Sequence, residues 1–305
     1  MKSLRIAFLA CCLLVPVECL TFAALPKAGF FLPDSVHEMT LKYRTVKNLI
    51  VLPVTINDSI QVNLILDTGC RNLILFGRKF KNLFTIIRGK EIKFSGLGEG
   101  NPLTGLLSLG NKVSIERVLG EQIPVVIVDS KNVFGSYRNI HGVIGYDVFL
   151  KFEIELNARA NTITFRSALK SKIPLGYSLI PMQIVDAKPI LDSHIFLNEK
   201  INRACDLMID TGSSLGLLIK TTEISQFNYF SNESVVGIGF NGWISGYETV
   251  SDKLKLAGFE INAVPTAIVS SQYHDSGSIG MAVLKEYIVI LNYCKAYACF
   301  KRNSA

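Results

Sequence analysis

The sequence predicts an all-β protein built from two similar halves. Its 305 residues are 49% hydrophobic and include 23 glycines and 10 prolines on a background rich in Val, Ile, Leu and Phe. That composition is typical of many short strands joined by turns, and it excludes disordered, collagen-like and coiled-coil proteins. One segment, Leu64 to Gly69, recurs in similar form as Leu207 to Gly212. The length allows about two domains.

The N-terminal residues have the pattern of a secretory signal peptide. Lys2 and Arg5 precede an apolar run from Ile6 to Val17, and small residues follow up to Ala24, the order of a signal peptide with a cleavage site. The run is about 12 residues, too short to span a bilayer, and no later stretch reaches the ~20 apolar residues required. We therefore predict a signal peptide at 1–24, a leader at 25–47, and an exported protein, periplasmic or extracellular, without a membrane span.

Charge and cysteine content exclude several other classes. The basic residues, 32 against 25 acidic ones, are scattered rather than gathered into a stripe, so no nucleic-acid partner is expected. After signal removal four cysteines remain, too few for a disulfide scaffold. Cys294 and Cys299 are either bridged across a hairpin or unpaired. No Cys or His spacing recurs as zinc sites require, so neither a metal nor an organic cofactor is expected. The four are Cys70, Cys205, Cys294 and Cys299.

Further echoes follow in the same order in both halves, which indicates one duplicated unit rather than a solenoid. We predict lobes at 48–170 and 171–305 that pack about a pseudo-two-fold axis. The echoes pair Gly96-Leu97-Gly98 with Gly237-Ile238-Gly239, Pro124 to Val128 with Pro265 to Val269, and Gly142 to Gly145 with Gly277 to Gly280.

Each half shows the pattern of strands that lead to a loop, a short helix and a hairpin. Residues 61–66 alternate with the period of a strand before the first Asp. One or two helical turns are predicted at 146–151 and 281–286. Phe152 to Leu156 and Thr162 to Phe165 flank a turn sequence and predict a hairpin, which the second half repeats from Tyr287 to Phe300.

The repeated segments each carry Asp-Thr-Gly after an apolar strand, at Asp67 and Asp210. Turns that use Asp and Gly for backbone reasons are the alternative interpretation. Two carboxylates about 3 Å apart cannot both ionise, so such a pair can hold one water, remove its proton and donate another to a carbonyl. Glycine lets the loops approach closely, and a Thr hydroxyl can both donate and accept between them.

These elements resemble those of aspartic proteases. Asp67-Thr68-Gly69 with Val143-Ile144-Gly145, and Asp210-Thr211-Gly212 with Ser278-Ile279-Gly280, are similar to the family's paired Asp-Thr-Gly and apolar-apolar-Gly elements. The resemblance extends from about Asn48 to Arg302 and is closest in style to exported bacterial retropepsin-like proteins with two fused units.

The resemblance implies a bilobal pepsin/retropepsin-like acid protease fold with a pseudo-two-fold axis and a cleft between the lobes. It implies that Asp67 and Asp210 form the catalytic dyad. The supporting loop residues would be Thr68 and Thr211, which lock the loops together, Gly69 and Gly212, which allow close approach, and Ser213.

Two features depart from the family pattern. Cys70 stands where Ser, Thr or Ala is usual, and because a thiol is a weak donor, we predict an asymmetrically tuned dyad. The lid hairpin of the first half contains Gly96 and Gly98 but lacks the tyrosine of pepsins. The corresponding stretch of the second half carries Phe240, Trp243 and Tyr247, which either line the cleft or pack on their own lobe. Which lobe supplies the lid stays open.

The sequence therefore predicts an exported, monomeric aspartic endopeptidase that acts on a peptide or protein substrate through a water between Asp67 and Asp210. The alternative is a catalytically silent bilobal protein that binds peptides or an envelope partner in the same cleft. The intact acid in both loops favours the enzyme, because a binder has no evident need for two crowded carboxylates, which cost free energy.

Overall fold

The computed structural model describes residues 27–129, 133–134, 137, 139–227, 232–271 and 276–303. The predicted signal peptide, 1–24, lies outside the described residues. The protein is 58% strand and 7% helix, so the prediction of an all-β protein is confirmed.

Strands of the N-terminal half run from Gly29 to Ser167. A 3-10 turn, Arg78–Leu83, and the short helix α1, Tyr146–Phe149, interrupt them. The strands are β1 (Gly29–Phe31), β2 (Glu38–Lys42), β3 (Arg44–Val46), β4 (Leu49–Ile56), β5 (Ile60–Leu66), β6 (Leu73–Phe76), β7 (Glu91–Phe94), β8 (Leu103–Ile115), β9 (Val118–Val128), β10 (Gly142–Ile144), β11 (Phe152–Asn157) and β12 (Thr162–Ser167).

The C-terminal half repeats this order of elements. It has a 3-10 turn at Ile224–Phe227 and a short helix, α2, at Met281–Leu284. The strands are β13 (Ser178–Pro181), β14 (Gln183–Val185), β15 (Lys188–Phe196), β16 (Asn202–Asp210), β17 (Leu217–Thr221), β18 (Ser234–Gly239), β19 (Gly242–Leu256), β20 (Phe259–Ser270), β21 (Ser276–Gly280), β22 (Tyr287–Asn292) and β23 (Tyr297–Arg302).

Each half has its own large sheet, and the two sheets match strand for strand around the predicted loops. The order in the first sheet is β1-β9-β6-β10-β5-β4-β8-β7, with β3 on β4, and in the other it is β14-β15-β16-β21-β17-β20-β19-β18. The apolar-apolar-Gly strand, β10 or β21, lies parallel to the strand before the Asp loop and antiparallel to the strand after it. This arrangement places both Asp-Thr-Gly loops at equivalent sheet positions.

A six-stranded sheet, β13-β23-β22-β11-β12-β2, joins the two halves. Its centre is the antiparallel pair of β11 and β22, in which Glu153 lies opposite Asn292 and Asn157 lies opposite Ile288. The predicted hairpins and the two short helices that precede them are confirmed, because β11–β12 and β22–β23 each form an antiparallel pair directly after α1 and α2.

The predicted leader contributes strands to two sheets. β1 pairs with β9, β2 pairs with β12 in the joining sheet, and β3 pairs with β4. A single apolar cluster contains buried residues from both halves, among them Phe149, Phe165 and Phe300. The four cysteines within the described residues, including Cys294 and Cys299, are free, so Cys294 and Cys299 are unpaired.

Candidate active site

The two aspartates end equivalent strands. Asp67 follows β5, and its backbone N–H donates to the carbonyl of Ile144 in β10 at 2.9 Å. Asp210 is the last residue of β16 and lies opposite Gly280 of β21. Their residues are only 7% and 8% exposed. Two acids from distant parts of the sequence are therefore both withdrawn from water, at matching ends of the two sheets.

Reciprocal hydrogen bonds between the threonines hold the loops together. The Thr68 hydroxyl donates to the carbonyl of Ile209 at 2.6 Å and accepts the Thr211 N–H at 3.0 Å. The Thr211 hydroxyl donates to the carbonyl of Leu66 at 2.8 Å and accepts the Thr68 N–H at 3.1 Å. Both threonines are fully buried. Each side chain thus satisfies one donor and one acceptor of the other loop, which orders both backbones.

The glycines place the carboxylates in one shared space. The Gly69 N–H donates to Oδ1 of Asp67 at 2.7 Å, and the Gly212 N–H donates to Oδ1 of Asp210 at 3.0 Å. A Cβ on Gly212 would lie 2.3 Å from Cγ of Asp67. A Cβ on Gly69 would lie within 4 Å of Oδ1 of both aspartates. The two acid oxygens therefore face the same point.

The second glycine of each half supports the loop from below. A Cβ on Gly145 would lie 2.1 Å from the carbonyl oxygen of Cys70, and one on Gly280 would lie 2.5 Å from that of Leu215. The first N–H of α1, on Tyr146, donates to the carbonyl of Cys70, and the first N–H of α2, on Met281, donates to that of Ser213. The helix starts therefore fix the ends of the Asp loops.

Burial raises the pKa of both carboxyls. The pKa of Asp67 rises to about 7 because it is desolvated and because the charge of Asp210 lies close by. The pKa of Asp210 rises to about 6 through desolvation, opposed by the Gly212 N–H and by Lys220 and Lys188. These are properties of the pair, since the first proton to leave hinders the second. The pair consequently keeps one proton well above the pH at which an exposed aspartate ionises.

The side chain of Cys70 does not support the carboxylate. Its Sγ donates to the carbonyl of Asn72 at 3.1 Å, and burial together with the charge of Asp67 raises the pKa of the thiol well above its usual value. Ser213 accepts the Leu215 N–H at 3.3 Å within its own loop. The surroundings of the two acids differ in charge: the charge of Asp210 raises the pKa of Asp67, whereas the Gly212 N–H and Lys220 lower that of Asp210.

The two predicted lid hairpins, β7–β8 and β18–β19, touch each other across the lobes. The Asn241 side chain accepts the Gly98 N–H at 2.8 Å and donates to the carbonyls of Gly98 and Gly100 at 2.7 and 2.8 Å. A Cβ on Gly98 would lie 2.5 Å from the carbonyl oxygen of Gly242, and one on Gly96 would lie 2.9 Å from the backbone of Phe240. Both lobes therefore supply a hairpin, and their tips are joined.

The aromatic residues of the second hairpin have three different environments, and one of them, Tyr247, packs against the large apolar cluster. Phe240 packs against the opposite lobe, with ring centroids 5.3 Å from Phe76 and 6.5 Å from Phe94. Trp243 is 60% exposed, and its backbone carbonyl accepts the Glu99 N–H of the other hairpin at 3.0 Å. The indole ring is therefore largely exposed to solvent, and Phe240 is the aromatic residue of this hairpin that packs between the lobes.

Three residues near the site were missed by the sequence reasoning. Asn241 is a polar residue at the tip of the second glycine-rich hairpin, and that position was its only signal. Lys188 and Lys220 act electrostatically on the aspartates. Neither lysine belongs to a repeated motif, so both become visible only when the two halves are aligned strand by strand. For Lys220 the loop after Asp210 is also one residue longer than the loop after Asp67.

Other features of the described residues lie apart from this site. A cavity of about 720 Å³ is lined by the segment from Phe30 to Glu38 together with Lys151 and Arg166, and neither aspartate borders it. Among the described residues, no helix has the length and apolar character needed to cross a bilayer. Comparison of the chain with models of known protein families and with curated proteins finds no match.

Proposed function

We propose that this protein is an exported aspartic endopeptidase of the pepsin/retropepsin-like fold, with Asp67 and Asp210 as its catalytic dyad. The observation that carries the proposal is the reciprocal threonine contact, which holds two buried carboxyls against one shared space. The matched sheets and the joining sheet between them support the bilobal fold. A pair of acids that keeps one proton at mildly acidic pH has the charge state that water activation requires.

The proposed reaction needs neither a metal nor a covalent intermediate. The ionised carboxylate takes a proton from the bound water as the water oxygen attacks the peptide carbonyl carbon. The protonated partner gives its proton to the carbonyl oxygen, which forms a diol on carbon. When this intermediate collapses, one diol hydroxyl gives its proton to the ionised carboxylate as the carbonyl re-forms, the C–N bond breaks, and the leaving nitrogen takes the proton of the other carboxyl, which leaves the dyad with one proton again. The rigid loops supply the positioning on which such a step depends.

Substrate entry requires that the hairpin tips separate. The tips are joined by hydrogen bonds between Asn241 and the backbone at Gly98 and Gly100, so an extended peptide would replace these contacts with its own. Lid opening of this kind is common where an active site must exclude water during reaction. The alternative, a silent protein that binds peptides in the same place, shares the fold and differs only in chemistry.

The test is hydrolysis by the mature chain of a mixed peptide library between pH 3.5 and 7.5, compared with Asp67→Asn and Asp210→Asn. The matched control is Asp192→Asn, which changes an exposed acid on β15. We expect cleavage by the wild type and by the control, and loss of cleavage in both dyad variants. In water enriched in ¹⁸O, one label should enter the new carboxyl group. Cleavage that survives either dyad variant contradicts the mechanism, and binding without cleavage supports the silent alternative.

A further inference from the structure

The two hairpins that begin the lobe sheets are matched position by position. β3–β4 and β14–β15 both turn through two residues with positive φ, Lys47 and Asn48 in the first and Asp186 and Ala187 in the second, the geometry of a type I′ turn. Leu49 follows the first turn and pairs with Val46, whereas Lys188 follows the second and pairs with Val185. Lys188 therefore occupies the position that Leu49 has in the first lobe.

A second lysine replaces an aromatic residue at another matched position. Phe76 lies opposite Val128 in the parallel pair of β6 and β9, and Lys220 lies opposite Val269 in the parallel pair of β17 and β20. Val128 and Val269 are the last residues of the repeated segments that begin at Pro124 and Pro265. The antiparallel pairs give the same match. Ile74 pairs with Val143 and Leu218 pairs with Ser278, and Val143 and Ser278 are equivalent residues of the repeated segments.

In the first lobe these positions are part of a filled apolar pocket beneath the lid hairpin. Phe76 and Leu49 belong to a cluster with Phe94 and Phe240, and the ring of Phe134 lies 5.5 Å from that of Phe76. The pocket is closed by the inserted aromatic residue of the other lobe. The equivalent pocket of the second lobe contains smaller groups, namely Leu215, Leu218, Val236, Ile244, Ala267 and Val269.

Both lysines lie on the faces of their strands that turn toward the dyad. Lys220 is two residues from Leu218, so its side chain leaves the same face of β17, the face that packs beneath the second hairpin. Lys188 is two residues from Ile190, which pairs with Met208. The methyl of Met208 would lie 3.4 Å from a Cβ on Gly69. The Lys188 face of β15 and β16 therefore borders the Asp67 loop.

No acid of the described residues pairs with either lysine. Asp186, the acid next to Lys188 in the same turn, forms an ion pair with Arg71 of the first lobe. Lys220 is half-buried, and burial and the charge of Lys188 both lower its pKa, while the charge of Asp210 raises it. Partly buried ammonium groups are costly unless an anion lies near them. The charge of the dyad acts on both lysines, and the carboxylate of an acidic ligand between them would add a second counter-charge.

We propose that Lys188 and Lys220 form a specificity site that binds the carboxylate of an Asp or Glu side chain of the peptide, next to the scissile bond on the side of the second lobe. The proposal rests on the proposed function, because it assigns a substrate class to the same cleft. The first lobe, with Phe76 and Leu49 in the matched positions, would take an apolar side chain once the hairpins separate and Phe240 leaves its pocket. The preferred substrate would then carry an apolar residue on one side of the bond and an acidic residue on the other.

The first experiment compares cleavage of peptides that differ only by Glu or Gln at each position around a cleaved bond. At one position we expect kcat/KM to favour Glu by about 10- to 100-fold, the range of a hydrogen bond to a charged group. Lys188→Met with Lys220→Met should bring this ratio close to one, and Lys220→Glu should favour a Lys peptide instead. The matched control is Lys42→Met, which removes an exposed lysine from β2 and should keep the preference for Glu.

The second experiment measures binding without cleavage. Calorimetry with the Asp67→Asn variant should show tighter binding of the Glu peptide than of the Gln peptide, and the lysine double substitution should abolish the difference. Equal cleavage and equal binding of both peptides by the unsubstituted lysine pair would overturn the specificity site while leaving the hydrolase intact. If the wild type cleaves no peptide, the hydrolase proposal fails, and the binding difference alone then decides whether the lysine site exists.

Discussion

The strongest quantitative prediction concerns the hydroxyls of Thr68 and Thr211. Valine has nearly the shape of threonine but has no hydroxyl, so Thr68→Val leaves the Thr211 N–H without its acceptor and the Ile209 carbonyl without its donor. Both groups are buried at the contact between the lobes. A stranded buried donor or acceptor costs about 1–3 kcal/mol, so the two together should lower the free energy of unfolding of Thr68→Val by roughly 2–6 kcal/mol. Thr211→Val should cost a similar amount by symmetry.

The assay is urea unfolding followed by far-UV circular dichroism, which reports the sheets as a whole. Thr68→Ser and Thr211→Ser are the matched controls, because serine keeps the hydroxyl and loses only a methyl group. Both serine variants should retain most of the stability and the activity. The two valine substitutions should not be additive, since the two hydroxyls lie 3.5 Å apart in one hydrogen-bond network.

Two outcomes would refute this reasoning. If each valine variant unfolds within about 0.5 kcal/mol of its serine counterpart, the hydroxyls do not hold the loops. If the double valine variant is destabilised by the full sum of the single variants, the two side chains act independently. A loss of peptide cleavage that is larger than the loss of stability explains would agree with a role in positioning the carboxylates.

The other predictions concern the carboxylates, the loop glycine and the lid. Burial raises the pKa of both dyad acids, so the folded state binds more protons than the unfolded state. The free energy of unfolding should therefore fall as the pH rises from about 4 through the raised pKa values. Asp67→Asn should flatten that slope in unfolding curves measured at several pH values. Gly212→Ala should abolish cleavage and lower the urea midpoint, since its methyl would lie 2.3 Å from Cγ of Asp67, whereas Gly237→Ala, with its nearest atom at 3.6 Å, should leave the midpoint unchanged. Asn241→Ala removes three hydrogen bonds between the hairpins. Hydrogen exchange at Gly98, whose N–H loses its acceptor, should accelerate more than exchange at Gly100, whose N–H donates to the backbone carbonyl of residue 241, while exchange in the joining sheet stays the same; equal exchange at Gly98 in the variant and the wild type would show that the tips are held by other contacts.

The parts of the structure that the sequence predicted best depend on residues close together in the chain and occur in both halves. The alternation before Asp67, the Asp-Thr-Gly loops and the turn between β11 and β12 each depend on neighbouring residues, and the repeat supplied an independent copy of each. The duplicated all-β architecture followed from these signals. The sequence also suggested how Thr68 and Thr211 could serve the loops, because a hydroxyl is the side-chain group that both donates and accepts at short reach.

The parts that could not be predicted depend on contacts between the lobes or on rotamers. Asn241 reaches Gly98 only because the two hairpins meet, and a glycine-rich composition does not specify a partner. Cys70 was expected to give Asp67 little support, and its side chain gives none because the thiol donates to the Asn72 carbonyl, a choice of rotamer that composition cannot decide. Phe240 packs against the opposite lobe, whereas the periodicity and hydrophobicity of its sequence are equally compatible with packing against its own lobe.

Fusion of two copies in one chain has a physical consequence that a symmetric dimer could not have. In a homodimer every substitution appears twice, so the positions of Phe76 and Lys220 would carry the same residue on both sides of the axis. The base of the site keeps the symmetry, because the threonine contact works only if each loop satisfies the other. Above that base the lobes differ, with an aromatic pocket closed by Phe240 on one side and the two lysines on the other. A peptide has a direction and presents different side chains across the bond to be cut, so under the proposed function the asymmetry lies where substrate selection needs it, and the symmetry lies where the chemistry needs it.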